Sequence, residues 1–215
     1  MYSATYSEML RGNQNFRRLW MGQVISELGT WFSFIAELGL VRMLSGSPLA
    51  TTGLLVARML PFLVVAPFAG VAVDRLSRKH ILIMSDLLRA AVALLYLAAG
   101  NLEWLWLVFV CAALESSLTT FFEAAKNAAV ANLVSPREML TANVMMLSTR
   151  FLQFSVGAAL GGLTAVYFGY DAAFIVNALS FVLSALFIAP VPGDAMRRAS
   201  PGPPPKREAA RAAQA

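Results

Sequence analysis

A chain of 215 residues that is 58% hydrophobic and only 13% charged carries about half the charge of an ordinary soluble domain. Surface-to-volume scaling leaves too little interior to hide that much apolar surface from water, so the expected solvent is the bilayer. One cysteine, Cys111, and one histidine, His80, exclude an internal disulfide framework and a Cys/His-built metal site; no cofactor is expected.

The chain opens on a polar stretch, residues 1–18, "MYSATYSEMLRGNQNFRR", with no secretory signal pattern. It reads as an N-terminal segment on the cytoplasmic side. A spanning helix needs about 20 mostly apolar residues, and six segments qualify: 19–44, 49–73, 80–100, 102–126, 140–168 and 171–191. Turn chemistry separates them, with "SGSP" at 45–48, "DRLSRK" at 74–79, "GN" at 100–101, "SPRE" at 135–138 and "FGYD" at 168–171. The apolar runs lack the alternation of barrel strands, and open sheet cannot satisfy its backbone in lipid. The predicted fold is all-α, with residues 19–191 forming a six-helix membrane bundle. Residues 192–215, ending "PGPPPKREAARAAQA", read as a disordered cytoplasmic tail or a linker.

Basic residues set the orientation. Arg11, Arg17 and Arg18 precede the first span, and Arg75, Arg78 and Lys79 lie in the second connection. Lys126 and Arg137 flank the fourth, and Arg197, Arg198, Lys206, Arg207 and Arg211 fill the tail. The first, third and fifth connections hold none, which is the alternation that places both termini in the cytoplasm of a cell (inner or plasma) membrane. The formal net charge of +5 is then topology and lipid-headgroup contact, and nucleic acid is not an expected partner.

Charges inside the spans are costly, about 2.5–3.5 kcal/mol each at mid-bilayer, and point to function or pairing. On the first span Glu27, Thr30, Phe34 and Glu37 share a face; on the fourth, Glu115, Thr119, Phe122, Glu123 and Lys126 do. Asn143, Arg150 and Gly157 share a face of the fifth. Glu27, Glu37, Glu115, Glu123 and Arg150 are the candidate proton or substrate groups. Glu27 and Glu37 are preferred, because a glutamate desolvated in a central cavity is suited to exchanging a proton; the alternative is a static pair with an arginine, such as Arg58 reaching across to the first span. Asp86 and Arg89, spaced i, i+3, are expected to pair locally, either as a structural ion pair or as a transport site. Arg42 and Lys126 are expected to snorkel to the surface, and Trp31, Phe32 and Phe34 to pack or to wall a substrate. Gly157, Gly161 and Gly162 in "GAALGG" admit a close helix partner, and Pro61 and Pro67 are expected to bend the second span.

The charged turn carries a family signature. Gly70-x-x-x-Asp74-Arg75-x-x-Arg78-Lys79 resembles the loop signature of the major facilitator superfamily, with Ser77 where that signature has glycine. The stretches "NFRRLWMGQVISELGTWF", "GSPLATTGLLVARMLPFLVVAPFAG", "SDLLRA", "FFEAAKNAAVANLV", "LTANVMMLSTR" and "NALSF" look like the drug:proton antiporter branch that contains macrolide and siderophore exporters. The likeness covers about residues 13–190. "GAALGG" resembles the antiporter motif of the fifth helix, with Gln153 at its first glycine and Ala158 at its proline, and Ala124 stands where a proline is expected.

The resemblance implies proton-coupled efflux of small molecules by alternating access, and no enzyme activity. It makes Gly70, Asp74, Arg75, Arg78 and Lys79 a conformational-switch loop. There Gly70 allows close helix approach, Asp74 neutralises a neighbouring helix end, and the cations hold the turn at the lipid surface. It also implies a carrier of two six-helix halves, of which this chain supplies the N-terminal one. The expected partners are lipid, a small-molecule substrate, protons, and a second copy or a separately encoded second half. The alternative is a truncated, non-transporting remnant or a modulatory partner of another carrier.

Overall fold

The computed structural model describes residues 6–101 and 103–197. Helix α1 (Tyr6–Gly12) leads into α2 (Gln14–Ser45), then α3 (Pro48–Arg75), α4 (Arg78–Asn101), α5 (Leu105–Leu133) and α6 (Met139–Ile188), with a final 3-10 turn at Asp194–Met196. There is no strand among the described residues, so the all-α expectation holds.

Local chemistry fixes the boundaries. The Asn13 side chain caps α2 by accepting from the Phe16 amide at 2.9 Å while its own amide donates to the Leu133 carbonyl at 2.6 Å. The "SGSP" turn ends α2 at a left-handed Gly46 and starts α3 with Ser47 as cap and Pro48 in the first turn. In "SPRE" the Ser135 amide and hydroxyl both donate to Glu138 Oε2, at 2.9 and 2.8 Å, which supplies the glutamate half of a capping box, while the Glu138 amide donates to the Ser135 carbonyl at 2.9 Å. Helix α3 runs on through Pro61 and Pro67 without a break.

Helix α6 has 50 residues, which as a straight rod would measure about 75 Å, far beyond a hydrocarbon core of about 30 Å. It breaks at Gly169, whose φ of 79° and ψ of 172° lie in a region essentially reserved for glycine. The two arms, 139–168 and 170–188, then run in opposite directions against α2. A Cβ on Gly157 would meet Trp31, and one on Gly161 would meet Phe32, whereas Gly22, Gly29 and Gly39 face Ser184, Ser180 and Tyr170. Rising numbers in α2 thus meet rising numbers in the first arm and falling numbers in the second. Five long helices become six crossings, and the expected "FGYD" loop is a single-residue reversal.

Two apolar clusters mark the two ends of the bundle. At one, Met9, Phe16, Val73, Val134, Ile188 and Met196 pack together, so both described ends of the chain lie on the same side. At the other, Leu40, Leu54, Ala99, Val108 and Phe174 do. Met196 is fully buried, and its carbonyl accepts from Arg78 Nη1 at 2.7 Å and Asn132 Nδ2 at 2.9 Å. The expected disordered tail from 192 is therefore packed as far as Met196; its remainder from 198 lies outside the described residues. Helix α3 buries only Leu54, Ala69 and Val73 and presents Met59, Phe62, Leu63 and Phe68 outward, a face suited to lipid or to another apolar protein surface.

Candidate functional site

The polar residues on each span converge on the interior in three groups, because an unpaired charge in this environment costs several kcal/mol while a well-bonded one is tolerated. The first lies about 12–15 Å from the distal end, counting along α2, α3 and α5. Arg58 grips Glu37 with both arms of its guanidinium, Nη2–Oε1 at 2.5 Å and Nε–Oε2 at 2.9 Å, and reaches Glu115 Oε2 at 3.4 Å. Its guanidinium also stands 5.1 Å from the Phe34 ring centre, a cation–π contact. Ser116 Oγ donates to the Arg58 carbonyl, tying α5 to α3. Glu37 and Glu115 are buried.

The second group lies one layer nearer the termini. Arg150 donates to Glu27 at 2.5 Å and to Glu123 at 2.8 Å, and Lys126 donates to Glu123 at 2.6 Å. Gln23 supports Glu27 from one turn away at 3.1 Å. In the third group Arg89 pairs with Asp86 on α4 while its guanidinium sits between the rings of Phe122 and Phe181, 4.4 Å from each. Both members are buried.

A cavity of about 280 Å³ lies among the groups. Glu27, Arg58, Arg89, Glu123 and Arg150 line it with Trp31, Phe62, Phe122 and several hydroxyl side chains. The wall therefore offers both signs of charge together with aromatic surface, and it draws on α2, α3, α4, α5 and the first arm of α6. The second group has two cations and two carboxylates and the third has one of each. The first has two carboxylates on one guanidinium. That surplus negative charge is what distinguishes the Glu37–Arg58–Glu115 trio chemically.

All five candidate carboxylate and arginine positions, Glu27, Glu37, Glu115, Glu123 and Arg150, stand in or beside this cavity. Asp86 and Arg89 form the local pair expected of them. Other expectations need correction. Lys126 does not snorkel: it is 2% exposed and bonded to Glu123, because the Glu123 carboxylate lies one turn away on the same face. Gly162 makes no close approach, its nearest neighbour being Ile35 at 3.9 Å from a built Cβ, whereas Gly157 and Gly161 press on the α2 backbone. In the charged turn, Gly70 and Asp74 are exposed, and no described atom lies within 4 Å of a Cβ on Gly70. Arg78 does not point to the lipid surface but donates inward to the carbonyls of Ala128 at 3.0 Å and Met196.

Three interior amides were absent from the sequence-level candidates. Gln23 supports Glu27, Gln153 Nε2 donates to the Val24 carbonyl, and Asn177 Nδ2 donates to Ser33 Oγ at 2.9 Å. Asn177 stands alone in the apolar stretch 172–179, which is the signal that marks it, whereas Gln23 and Gln153 each stand one turn from a charge, Glu27 and Arg150. At Gln153 the amide fills the place where the antiporter motif has a glycine and bonds directly to the α2 backbone.

A family model described as transmembrane secretion effector matches residues 5–203. An uncharacterized MFS-type transporter, YfiS, of Bacillus subtilis is 30% identical over 203 residues, covering 94% of this chain and 48% of that protein. The putative bacilysin exporter BacE of Bacillus subtilis is 28% identical, covering 81% of this chain and 43% of its own length. Macrolide efflux protein A of Streptococcus pyogenes is also 28% identical, covering 81% and 44%. The chain spans under half the length of these relatives. No solved structure matches it at a significant level.

Proposed function

Since the chain belongs to the transmembrane secretion effector family of the major facilitator superfamily, we propose that it forms the N-terminal six-helix half of an exporter that moves small molecules out of the cell by alternating access, with protons moving in return. The observation that carries this reading is the charge imbalance of the Glu37–Arg58–Glu115 trio beside the cavity. One proton on the trio cancels its surplus charge, and its release restores it. The cost of desolvated charge thereby links protonation to how tightly Arg58 holds α2, α3 and α5 together. Glu27 and Glu123, fully matched by Arg150 and Lys126, serve as a second layer that substrate reaches by displacing an ion-pair partner.

Aromatic surface and charges of both signs suit an amphipathic drug-like or siderophore-like solute, in keeping with the exporter and efflux names of two relatives. The alternation of basic connections supports termini on the cytoplasmic side of the cell membrane. The apolar outer face of α3 suits packing against a second six-helix half.

The test is erythromycin uptake into everted membrane vesicles from cells expressing the natural reading frame, with the lumen acidified. Uptake driven by the pH difference is expected, and it is lost in Glu37→Gln/Glu115→Gln although the protein remains in the membrane. Uptake indifferent to the pH difference, or unchanged in the double variant, overturns the proton-coupled reading.

A further inference from the structure

A second groove, of about 400 Å³, lies away from the central cavity, between the start of α2 and the end of the second arm of α6. It is lined by Gln14, Arg17, Arg18, Met21, Leu186, Phe187 and Pro190. The α2 positions recur at i, i+3, i+4 and i+7 and so form one stripe. Along that stripe polarity changes in a fixed order. Gln14 and the two arginines come first; Met21 follows about 6 Å deeper, level with the apolar side chains of Leu186 and Phe187.

The arginines are not consumed by the protein. Arg17 Nη1 donates to the Leu10 carbonyl at 3.3 Å and Arg18 Nη1 to the Pro190 carbonyl at 3.4 Å. Both contacts are long, and a guanidinium has five donors. Neither arginine has a carboxylate partner among the described residues, and no carboxylate lines the groove. Leu186 is 62% exposed and Phe187 36%.

Two adjacent guanidinium forks above an apolar slot match a phosphate diester joined to acyl chains, and guanidinium is the side chain best suited to bind phosphate in two-point fashion. Free phosphate offers the same headgroup chemistry but leaves the slot below it unfilled. We infer that this groove is a binding site for an anionic phospholipid of the leaflet on the N-terminal side, with its phosphate between Arg17 and Arg18 and an acyl chain along Met21, Leu186 and Phe187.

The test uses the purified chain in detergent with three probes: dioleoyl phosphatidylglycerol, dioleoyl phosphatidylcholine and glycerol 3-phosphate. Retained lipid is counted by native mass spectrometry. Two basic residues at an anionic surface correspond to roughly thirtyfold tighter binding of phosphatidylglycerol than of phosphatidylcholine. Arg17→Gln/Arg18→Gln is expected to erase that preference. Arg75→Gln, which removes a cation outside the groove, is expected to keep it. Phe187→Ala, which keeps both cations, is expected to weaken both lipids alike. A preference that survives in Arg17→Gln/Arg18→Gln overturns the inference. So does a preference lost equally in Arg75→Gln, or displacement of phosphatidylglycerol by an equimolar amount of glycerol 3-phosphate.

Discussion

Replacing Arg58 by methionine isolates the trio at the heart of the cavity. The substitution keeps an apolar stem of similar length but removes the only cation holding two carboxylates, one of them fully buried and the other 1% exposed. Breaking a buried ion pair from one side costs about 3–5 kcal/mol. For a chain of this size that corresponds to a fall in melting temperature on the order of 10 °C. Glu115→Gln perturbs the same site in the opposite sense: it cancels the surplus charge and forfeits only a 3.4 Å contact, so its melting temperature should stay within about 4 °C of the parent. The triple variant Arg58→Met/Glu37→Gln/Glu115→Gln removes every charge and should recover most of the loss. Melting of the purified protein in detergent, followed by its intrinsic tryptophan fluorescence, reads all three. If Arg58→Met melts with the parent, or if the triple variant melts no higher than Arg58→Met, the carboxylates are not held by this arginine and the charge reasoning fails.

Three further outcomes are expected. Gly161→Ala places a Cβ 2.1 Å from the Phe32 carbonyl oxygen, against 3.9 Å to Ile35 for Gly162→Ala; the former should cost about 1–3 kcal/mol by overpacking and the latter little, read as melting in detergent. Asp74→Asn should leave the melting of this chain unchanged, because Asp74 is exposed and makes no hydrogen bond or ion pair with the described residues. Hydrogen bonds from the Ser135 amide and hydroxyl hold the Glu138 carboxyl below the usual glutamate range. The stabilisation it gives the start of α6 is therefore present above the ordinary glutamate value and lost as pH falls through the lowered one. Amide exchange at 135–139 should rise across that acidic window in the parent, and Glu138→Gln should abolish the pH dependence.

The helices were legible in the sequence because lipid imposes a length and a composition that few other environments do. Their pairing was legible only in part. Periodicity put Glu27 with Glu37 on one face and Glu115 with Glu123 on another, since faces are local. That Arg58 joins Glu37 to Glu115, and Arg150 joins Glu27 to Glu123, depends on how helices distant in the chain cross, which periodicity within one helix does not encode. Lys126 was misread for a different reason: its position near a helix end suggested the surface, although the partner that holds it inside, Glu123, stands one turn away on the same face of the same helix. The charged turn shows the converse. Its motif was plain, yet Gly70 and Asp74 face outward, while Arg78 donates into the body of the protein and the Lys79 stem lies beside Gly193.

Six crossings rather than five bring Arg150 beside Glu27 and place the cavity within the membrane, and they depend on the chain reversing at Gly169. Single cysteines in a Cys111→Ala background, at positions 47, 77, 135 and 168 in sealed vesicles, test this most directly, position 168 being exposed beside Gly169 and leaving that glycine in place. With a membrane-impermeant maleimide, positions 77 and 135 should label from one side, and 47 and 168 from the other. Labelling of 168 from the same side as 135 would mean that the first arm of α6 does not cross, and would contradict the arrangement on which the cavity depends.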